Sequence, residues 1–181
     1  MIKPEIINLR AKIDQIDEKI AKLLSERVDC AVKIGALKDN LRISEEDGKI
    51  PAYDPIREKE IIERLKKIAP NLPLNGIEII FKQIISLCRN SAHRTTVCIL
   101  GETKDFNCKE YFGSFCRYVN CSDFFSFVEE MNKNNFNIGV FIGDSKDTTS
   151  QEILKSNNFK LIDTFSVELK TIYLIMKNEE R

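Results

Sequence analysis

The stretch IINLRAKIDQIDEKIAKLLSER, residues 6–27, decides the fold of the first half of this chain. Its large aliphatic residues recur at alternating spacings of three and four, at Ile6, Leu9, Ile13, Ile16, Ile20 and Leu23. This period predicts an α-helix with one apolar face. The same count continues through Arg27 to Cys30, Ile34 and Leu37, so we expect the helix to run from about Pro4 to Lys38.

A helix of this length has consequences for assembly. Roughly thirty-five residues is unusual for a helix in a compact monomeric domain. Such a helix usually packs against something equally long, often a second copy of itself. The first helix therefore predicts a homodimer.

A charge on the apolar stripe is the first sign of function. A buried guanidinium, such as that of Arg27, needs an anionic partner or a wet cavity, because an unpaired buried charge is very costly. Lys38 lies on nearly the same bearing, about 16 Å further along the helix. The common explanation of one such residue is a side chain at the helix edge or an internal ion pair. Two cations on one stripe favour a site for a small anion.

Composition excludes several classes of function. The 181 residues carry a formal net charge of zero, so no bulk charge favours nucleic acid or an acidic membrane surface. No apolar run reaches the length of a membrane span, and the N-terminus lacks the layout of a signal peptide. Six cysteines without a C-x-x-C pair, and a single histidine, argue against a zinc site. We therefore expect a cytoplasmic protein without a metal or other cofactor, and with neither nucleic acid nor membrane as a partner.

Two further helices are predicted before residue 94. The polar segment 39–53 precedes Asp54, a good N-cap, and Pro55, a good first helical residue. The apolar stripe of this second helix begins with charge, at Arg57 and Glu58, and the helix ends before Pro70. A third helix is expected over residues 75–93. With Arg27 and Lys38, these charges on apolar faces favour a pocket for a small dianion.

At this point residues 5–93 resemble the all-helical class of chorismate mutases. The resemblance depends on LRAKIDQIDEKIAKLLSER (9–27), the lysine at 38, YDPIREKE (53–60) and IFKQIISLCR (80–89). It implies three helices per chain that intertwine in a dimer. It also implies the substrate, chorismate, whose two carboxylates match a dianion site, and the product, prephenate.

The resemblance also implies a role for each matching residue. Arg27 would bind one carboxylate, Arg10 would reach into the pocket of the partner chain, and Lys38 would hold a carboxylate and donate to the ether oxygen. Glu58 would accept the hydrogen bond of the ring hydroxyl, and Asp54 would cap the second helix and form part of the pocket wall. Arg57 would orient the charges of the pocket, and Cys88 would face the ring carboxylate. The rearrangement is pericyclic, so positioning and electrostatic stabilisation are sufficient and no nucleophile is needed.

One position departs from the family pattern. The family has a glutamine or glutamate that donates to the ether oxygen at the position of Ala92, and a methyl group cannot donate. Losing one such donor commonly costs ~3 kcal/mol of transition-state stabilisation. His93 is adjacent but would point about 100° away on a regular helix. Ser91, a local distortion or a bound water could compensate.

Residues 94–181 are predicted to form a small α/β domain after the helical domain of residues 1–93. The predicted strands and helices alternate, which implies a mixed, partly parallel sheet. The strands are expected at 96–100, 115–120, 138–142, 160–167 and 170–176, with helices from Ser122 to Asn134 and over 150–156. The fold class is therefore α plus α/β.

The second half is weakly similar to the first lobe of prephenate dehydratase, through VCILGE (97–102) and IGVFIGD (138–144). The usual Gly- and Thr-rich entry motif is replaced by GETKDF (101–106), and only about one lobe is present. We therefore expect a degenerate domain without dehydratase activity.

Two other classes of function remain open. The helical pocket could bind chorismate or prephenate without turnover and act as a regulatory sensor, which Ala92 favours. Alternatively, the helices could serve only as a dimerisation module for the α/β unit. Five retained residues of the anion site argue against this: Arg10, Arg27, Lys38, Arg57 and Glu58.

Overall fold

The computed structural model describes residues 3–44, 53–101, 106–134, 137–143, 159–167 and 170–177. Helices come first and a mixed sheet follows. The helices are α1 (Pro4–Ser44), α2 (Pro55–Ile68), α3 (Leu74–Ala92), α4 (Cys108–Phe112) and α5 (Phe124–Asn132). The strands are β1 (Thr96–Leu100), β2 (Arg117–Cys121), β3 (Ile138–Gly143), β4 (Phe159–Val167) and β5 (Lys170–Lys177). We call α1–α3 the helical unit and the remaining elements the α/β unit.

Helix α1 is longer than predicted and ends at Ser44 rather than Lys38. Its apolar stripe exists, but it is not covered within a single chain. Six side chains at the predicted spacing are 43–62% exposed, namely Ile6, Leu9, Ile13, Ile16, Ile20 and Leu23. This face is therefore not buried within one chain, because α1 packs on α3 over only part of its surface.

The start of α2 follows the predicted capping chemistry. The Asp54 carboxylate accepts a hydrogen bond from the backbone N–H of Arg57 at 2.9 Å, and Pro55 is the first helical residue. An oxygen at this position satisfies one of the N–H groups that the helix itself leaves without a partner. This prediction is confirmed.

The end of α3 differs from the prediction by one residue. The helix ends at Ala92, and His93 has extended backbone angles, φ −143° and ψ 128°. The chain turns there into β1, which starts only four residues after the helix ends. The side chain of His93 therefore does not follow the helical bearing.

Five strands form one sheet in the order β2-β1-β3-β5-β4. Strand β1 pairs in parallel with β2 and β3, whereas β5 is antiparallel to both β3 and β4. The predicted mixed, partly parallel sheet is confirmed. Its two faces are covered by apolar side chains that are almost completely buried, including Val97, Phe127, Met131, Ile138 and Leu174.

Several details of the α/β unit depart from the sequence prediction. The second strand begins at Arg117 rather than Phe115, and the short helix α4 was not predicted. The residue that caps α5 is Asp123 rather than Ser122, because the Asp123 carboxylate accepts from the N–H of Ser126 at 2.8 Å while the Ser126 hydroxyl bonds back to the N–H of Asp123. The helix ends at Asn132 rather than Asn134. The helix predicted over 150–156 lies outside the described residues.

The two units pack against each other through α3 and the segment after α4. Gly113 has a φ of +82°, and a Cβ placed on it would lie 2.3 Å from the Cβ of Ser86. The N–H of Ser114 donates to Oε1 of Gln83 at 2.8 Å, and the N–H of Phe115 donates to Oγ of Ser86 at 3.3 Å. Glycine at position 113 therefore permits both the turn and the close approach of α3. Within the described ranges, no helix has the length and apolar character needed to cross a membrane.

Candidate active site

A cavity of about 440 Å³ lies between the three helices of the helical unit. It is lined by seven of the eight residues that the sequence singled out: Arg27, Lys38, Asp54, Arg57, Glu58, Cys88 and Ala92. Arg64, Arg89 and His93 also line it, although no role was predicted for them. Cationic groups from all three helices therefore face one small space.

Arg27 is half-buried on the side of α1 that faces α3. Its Nη1 donates to the sulfur of Cys88 at 2.7 Å, which joins two predicted residues across 61 positions of sequence. Among the described residues, no carboxylate forms an ion pair with Arg27. A thiol is only a weak acceptor. The guanidinium can therefore still bind an anionic ligand. The alternative explanation, that Arg27 is half of an internal ion pair, does not agree with the described residues.

Glu58 has a partner that the sequence analysis missed. The Nη2 of Arg89 donates to Oε1 of Glu58 at 2.8 Å, and these side chains are 7% and 21% exposed. Burial raises the pKa of the Glu58 carboxyl, whereas the Arg89 guanidinium acts to lower that pKa. Arg89 falls within the stretch that carries the family resemblance, but nothing in its spacing indicates which acid it meets.

Arg57 lies at the rim of the cavity rather than on a buried face. Its side chain is 61% exposed, and its Nη1 contacts Oε2 of Glu60 at 3.1 Å. The placement of Arg57 on a buried stripe is therefore wrong. The first turn of a helix can direct a long side chain into water, and the apolar stripe of α2 becomes buried only further along, at Ile62.

Ala92 lines the cavity. His93 lines it as well, against the expectation that its side chain would point away. The Nε2 of His93 lies 3.8 Å from Oδ1 of Asp39 and 3.0 Å from where a Cβ on Gly35 would lie. The reason is the early end of α3, which frees the imidazole from helical geometry and turns it toward α1.

Arg10 is the one predicted site residue that does not line the cavity. It is exposed on α1, seventeen residues before Arg27 on the same unbroken helix. At about 1.5 Å of rise per residue, the two Cα atoms are roughly 25 Å apart along the axis. Within one chain, Arg10 and Arg27 therefore cannot contact the same small ligand.

No cluster of three or more histidine, cysteine, aspartate or glutamate side chains suited to a metal ion occurs in the described part of the chain. The cavity presents a set of positive charges, the partly buried carboxylate of Glu58 and an apolar wall formed by Ile34, Ile61, Phe81 and Ile85. This combination can bind a small anionic ring compound and stabilise negative charge that develops within it.

The comparison with known families agrees with this arrangement. Residues 9–93 match the family model described as chorismate mutase type II. The helical unit is therefore similar to that family. The matched residues are the helical unit almost in full, and they include every side chain predicted to bind the substrate.

Curated relatives extend the likeness beyond the helical unit. A bifunctional chorismate mutase/prephenate dehydratase of Aquifex aeolicus (strain VF5) is 30% identical over 144 residues, which is 75% of this chain and 38% of that protein. A chorismate mutase of Methanocaldococcus jannaschii is 39% identical over 64 residues, 35% of this chain and 58% of that protein. A bifunctional chorismate mutase/prephenate dehydratase of Pseudomonas aeruginosa is 31% identical over 101 residues, 54% of this chain and 27% of that protein.

Each alignment covers only part of the relative. The chain spans between about a quarter and about three fifths of the length of these relatives. The first alignment is longer than the helical unit, so it also includes part of the α/β unit. No solved structure matches the chain.

Proposed function

We propose that this protein is a chorismate mutase, an isomerase that rearranges chorismate to prephenate in aromatic amino acid biosynthesis. The observation that carries the proposal is Arg27, half-buried at a cavity lined by further cations and without a carboxylate partner among the described residues. It lies inside a chorismate mutase type II segment. A cavity of about 440 Å³ is within the range usual for small-molecule sites.

The proposed roles follow from the charge of each group. Arg27 binds a carboxylate from α1, and Lys38, eleven residues further along α1, binds a carboxylate and donates to the ether oxygen. Glu58 accepts the hydrogen bond of the ring hydroxyl. Asp54 caps α2 beside the cavity, and Arg57 adds positive charge at the rim. Cys88, which holds Arg27 through its sulfur, faces the ring carboxylate.

The reaction needs no acid, base or nucleophile from the protein. One bond breaks and another forms within a single molecule, and no proton is transferred. The cations hold the two carboxylates in the compact conformer that reacts. They also stabilise the negative charge that grows on the breaking ether oxygen, which is usually the largest single contribution to catalysis.

We further propose a homodimer with shared active sites. The uncovered apolar stripe of α1 supports it, because contiguous apolar patches on a soluble protein commonly mark interaction surfaces. The position of Arg10 supports it too, since this residue lies too far from the cavity of its own chain. In the dimer, Arg10 of one chain would complete the site of its partner.

The direct test is the loss of chorismate with purified protein. Arg27→Ala should lower kcat/KM by roughly two to three powers of ten, the usual effect of removing an oriented charged contact. Lys19→Ala is the matched control, because Lys19 is an exposed cation on the same helix. Wild-type protein that neither consumes nor binds chorismate would refute the proposed function.

A non-catalytic regulatory protein is the second candidate, and Ala92 is the observation that favours it. The relatives named above are enzymes, which favours catalysis. Binding of chorismate by the wild type without any formation of prephenate would decide for the regulatory protein.

Three further statements are proposals of the same kind. We propose that the units are separate domains, residues 1–93 and 94–181, and that the protein is cytoplasmic. We also propose that it lacks prephenate dehydratase activity, since GETKDF (101–106) replaces the usual entry motif. Formation of phenylpyruvate from prephenate by the purified protein would disprove the last of these.

A further inference from the structure

Arg89 is a buried arginine that no part of the proposed chemistry uses. It lies on α3, and its side chain is 7% exposed. Besides Glu58, it contacts the ring of Tyr53, with its guanidinium carbon 4.9 Å from the ring centroid, and the sulfur of Cys116, 3.9 Å from its Nη1. Its Nε is buried without a hydrogen-bond partner within the described residues. Burying a guanidinium with one N–H group left without a hydrogen bond costs free energy, so we expect Arg89 to have a functional role.

Residues of both units surround the side chain of Arg89. Cys116 belongs to the segment between α4 and β2 and contacts the hydroxyl of Ser86 at 3.7 Å. Tyr53 precedes α2, and its ring packs edge-on against Phe112 of α4 with centroids 5.6 Å apart. The α/β unit therefore forms one wall of the space in which the guanidinium is held.

Glu58 needs such a partner if it is to remain ionised. Its carboxyl is largely removed from water, which disfavours the charged form. A protonated carboxyl has only reduced capacity to accept the hydrogen bond of a ligand hydroxyl. Among the described residues, Arg89 alone donates to this carboxylate, and it uses Oε1. The second oxygen, Oε2, can then accept a hydrogen bond from a ligand.

We propose that Arg89 is a positioning residue that keeps Glu58 ionised and directed toward the cavity. The α/β unit helps to form the surroundings that hold Arg89 in place. The ligand contact of Glu58 rests on the proposed function, but the effect of Arg89 on Glu58 does not. Arg89 acts through Glu58 and touches no reacting atom. This gives the α/β unit a physical link to the active site.

Other charges around Glu58 must be considered in any test by pH. Asp54 disfavours its ionisation and Arg27 favours it. Glu58 also lines a second cavity, which lies between α2, α3, α4 and β4. The remaining titratable groups that line the first cavity are Cys30, Lys38, Arg57, Arg64, Cys88 and His93, and those that line the second are Tyr53, Lys59, Glu63, Glu78, Lys82, Tyr111 and Asp163. The variants chosen leave all of these groups unchanged.

The first measurement is the titration of Glu58 by NMR of ¹³C-labelled glutamate carboxyls, with Glu58→Gln to assign the signal. In Arg89→Met we expect the pKa of Glu58 to rise, because the favourable charge and hydrogen bond are lost while the burial remains. Arg89→Lys should raise it less, because the charge is kept but the guanidinium fork is lost. Arg117→Met is the matched control, an exposed arginine paired with Glu130 in the α/β unit, and it should leave Glu58 unchanged.

The second measurement is the pH dependence of kcat/KM. If the ionised form of Glu58 is required, activity falls as the pH drops through its pKa, so Arg89→Met should move this acid limb to higher pH. The double variant Arg89→Met/Glu58→Gln should be no slower than Glu58→Gln alone, since Arg89 acts only through Glu58. It also removes the uncompensated carboxylate that could unfold Arg89→Met.

The outcomes separate the two proposals. An unchanged Glu58 pKa in folded Arg89→Met and Arg89→Lys would overturn the role of Arg89, whether or not the protein is active. Fold-changes of the single variants that multiply in the double variant would also overturn it. Wild-type protein without chorismate turnover would refute the proposed function, and the NMR titration would still decide the role of Arg89.

Discussion

The helical unit and the α/β unit differ in how far they bury their apolar side chains. In the α/β unit, Val97, Phe127 and Leu174 are completely buried between the sheet and its helices. In the helical unit, the main stripe of α1 is about half exposed along its length, as Leu9 and Leu23 show at 62% each. The α/β unit completes its core within the chain. The helical unit has an apolar face that only another surface can cover.

The two units also differ in whether a charged side chain has an oppositely charged partner within the chain. In the α/β unit, the buried Glu130 is balanced by Lys133 and by Arg117, whose Nη1 lies 3.5 Å away. In the helical unit, Arg27 faces a cavity, and among the described residues its guanidinium donates a hydrogen bond only to the thiol of Cys88. Glu130 is thus balanced within the chain, as Glu58 is by Arg89, whereas Arg27 has no carboxylate partner among the described residues. This difference supports the two proposals that the helical unit binds an anionic ligand and pairs with a second chain.

The largest effect is expected from placing charge on the apolar stripe of α1. The double variant Ile13→Asp/Ile20→Asp should convert the proposed dimer to monomers at micromolar concentration, because the carboxylates would be buried without partners. Since each site would then lose Arg10 of the partner, kcat/KM should fall by about a hundredfold or more. Light scattering and the chorismate assay measure the two effects.

The matched control for this variant lies in the other unit. Phe125 is 80% exposed on α5, so Phe125→Asp should change neither the molar mass nor the activity. A wild-type protein that is already monomeric would contradict the dimer, and so would a stripe variant that remains dimeric.

Subunit exchange sharpens the claim that two chains build one site. Arg10→Ala and Arg27→Ala should each be nearly inactive. When equal amounts are mixed and exchanged, half of the dimers are mixed, and one of the two sites in each mixed dimer has both arginines. Activity should therefore recover to about a quarter of the wild-type value. If activity stays at the level of the single variants after exchange has been shown by mass spectrometry, the two arginines do not share a site.

A smaller effect is expected from restoring the missing donor. Ala92→Gln should raise the turnover number about tenfold or more, because each ~1.4 kcal/mol recovered of the ~3 kcal/mol that such a donor supplies is a factor of ten. Ala92→Met is the control, with similar length and no donor, and it should give no gain.

His93 offers an alternative to this expectation. If Ala92→Gln gives no gain while His93→Phe loses activity in a folded protein, the imidazole already donates to the ligand. That result would show that the early end of α3 supplies what the family pattern places one residue earlier.

The smallest expected effect concerns packing in the α/β unit. A Cβ on Gly139 would lie 2.7 Å from both Cγ1 of Ile175 and Cζ of Phe127, so Gly139→Ala should lower the free energy of unfolding by about 1–3 kcal/mol. A Cβ on Gly76 in α3 meets nothing closer than 3.6 Å, so Gly76→Ala should raise that free energy by about 0.5–1 kcal/mol. Urea unfolding gives both values, and equal effects of the two changes would contradict this account of the sheet.

Much of the helical unit was predictable because its signals are local. The three- and four-residue period of α1 and the Asp54–Pro55 start of α2 depend on neighbouring residues alone. The alternation of strands and helices indicated the mixed sheet for the same reason. The cap of α5 was misplaced by one residue, because both Ser122 and Asp123 can cap a helix and only the backbone decides between them.

The residue types available to the site can be read from the chain alone, because Arg27, Lys38, Glu58 and Cys88 lie on helices of known period. Which of these side chains meet depends on how the helices pack. The hydrogen bond from Arg27 to Cys88 and the ion pair of Arg89 with Glu58 span 61 and 31 residues, and no periodicity encodes such distances. The turn of His93 toward Gly35 likewise depends on where α3 stops. The physical reason is that a helix specifies its own face through local hydrogen bonds, whereas the partner of a buried charge is set by how the helices pack.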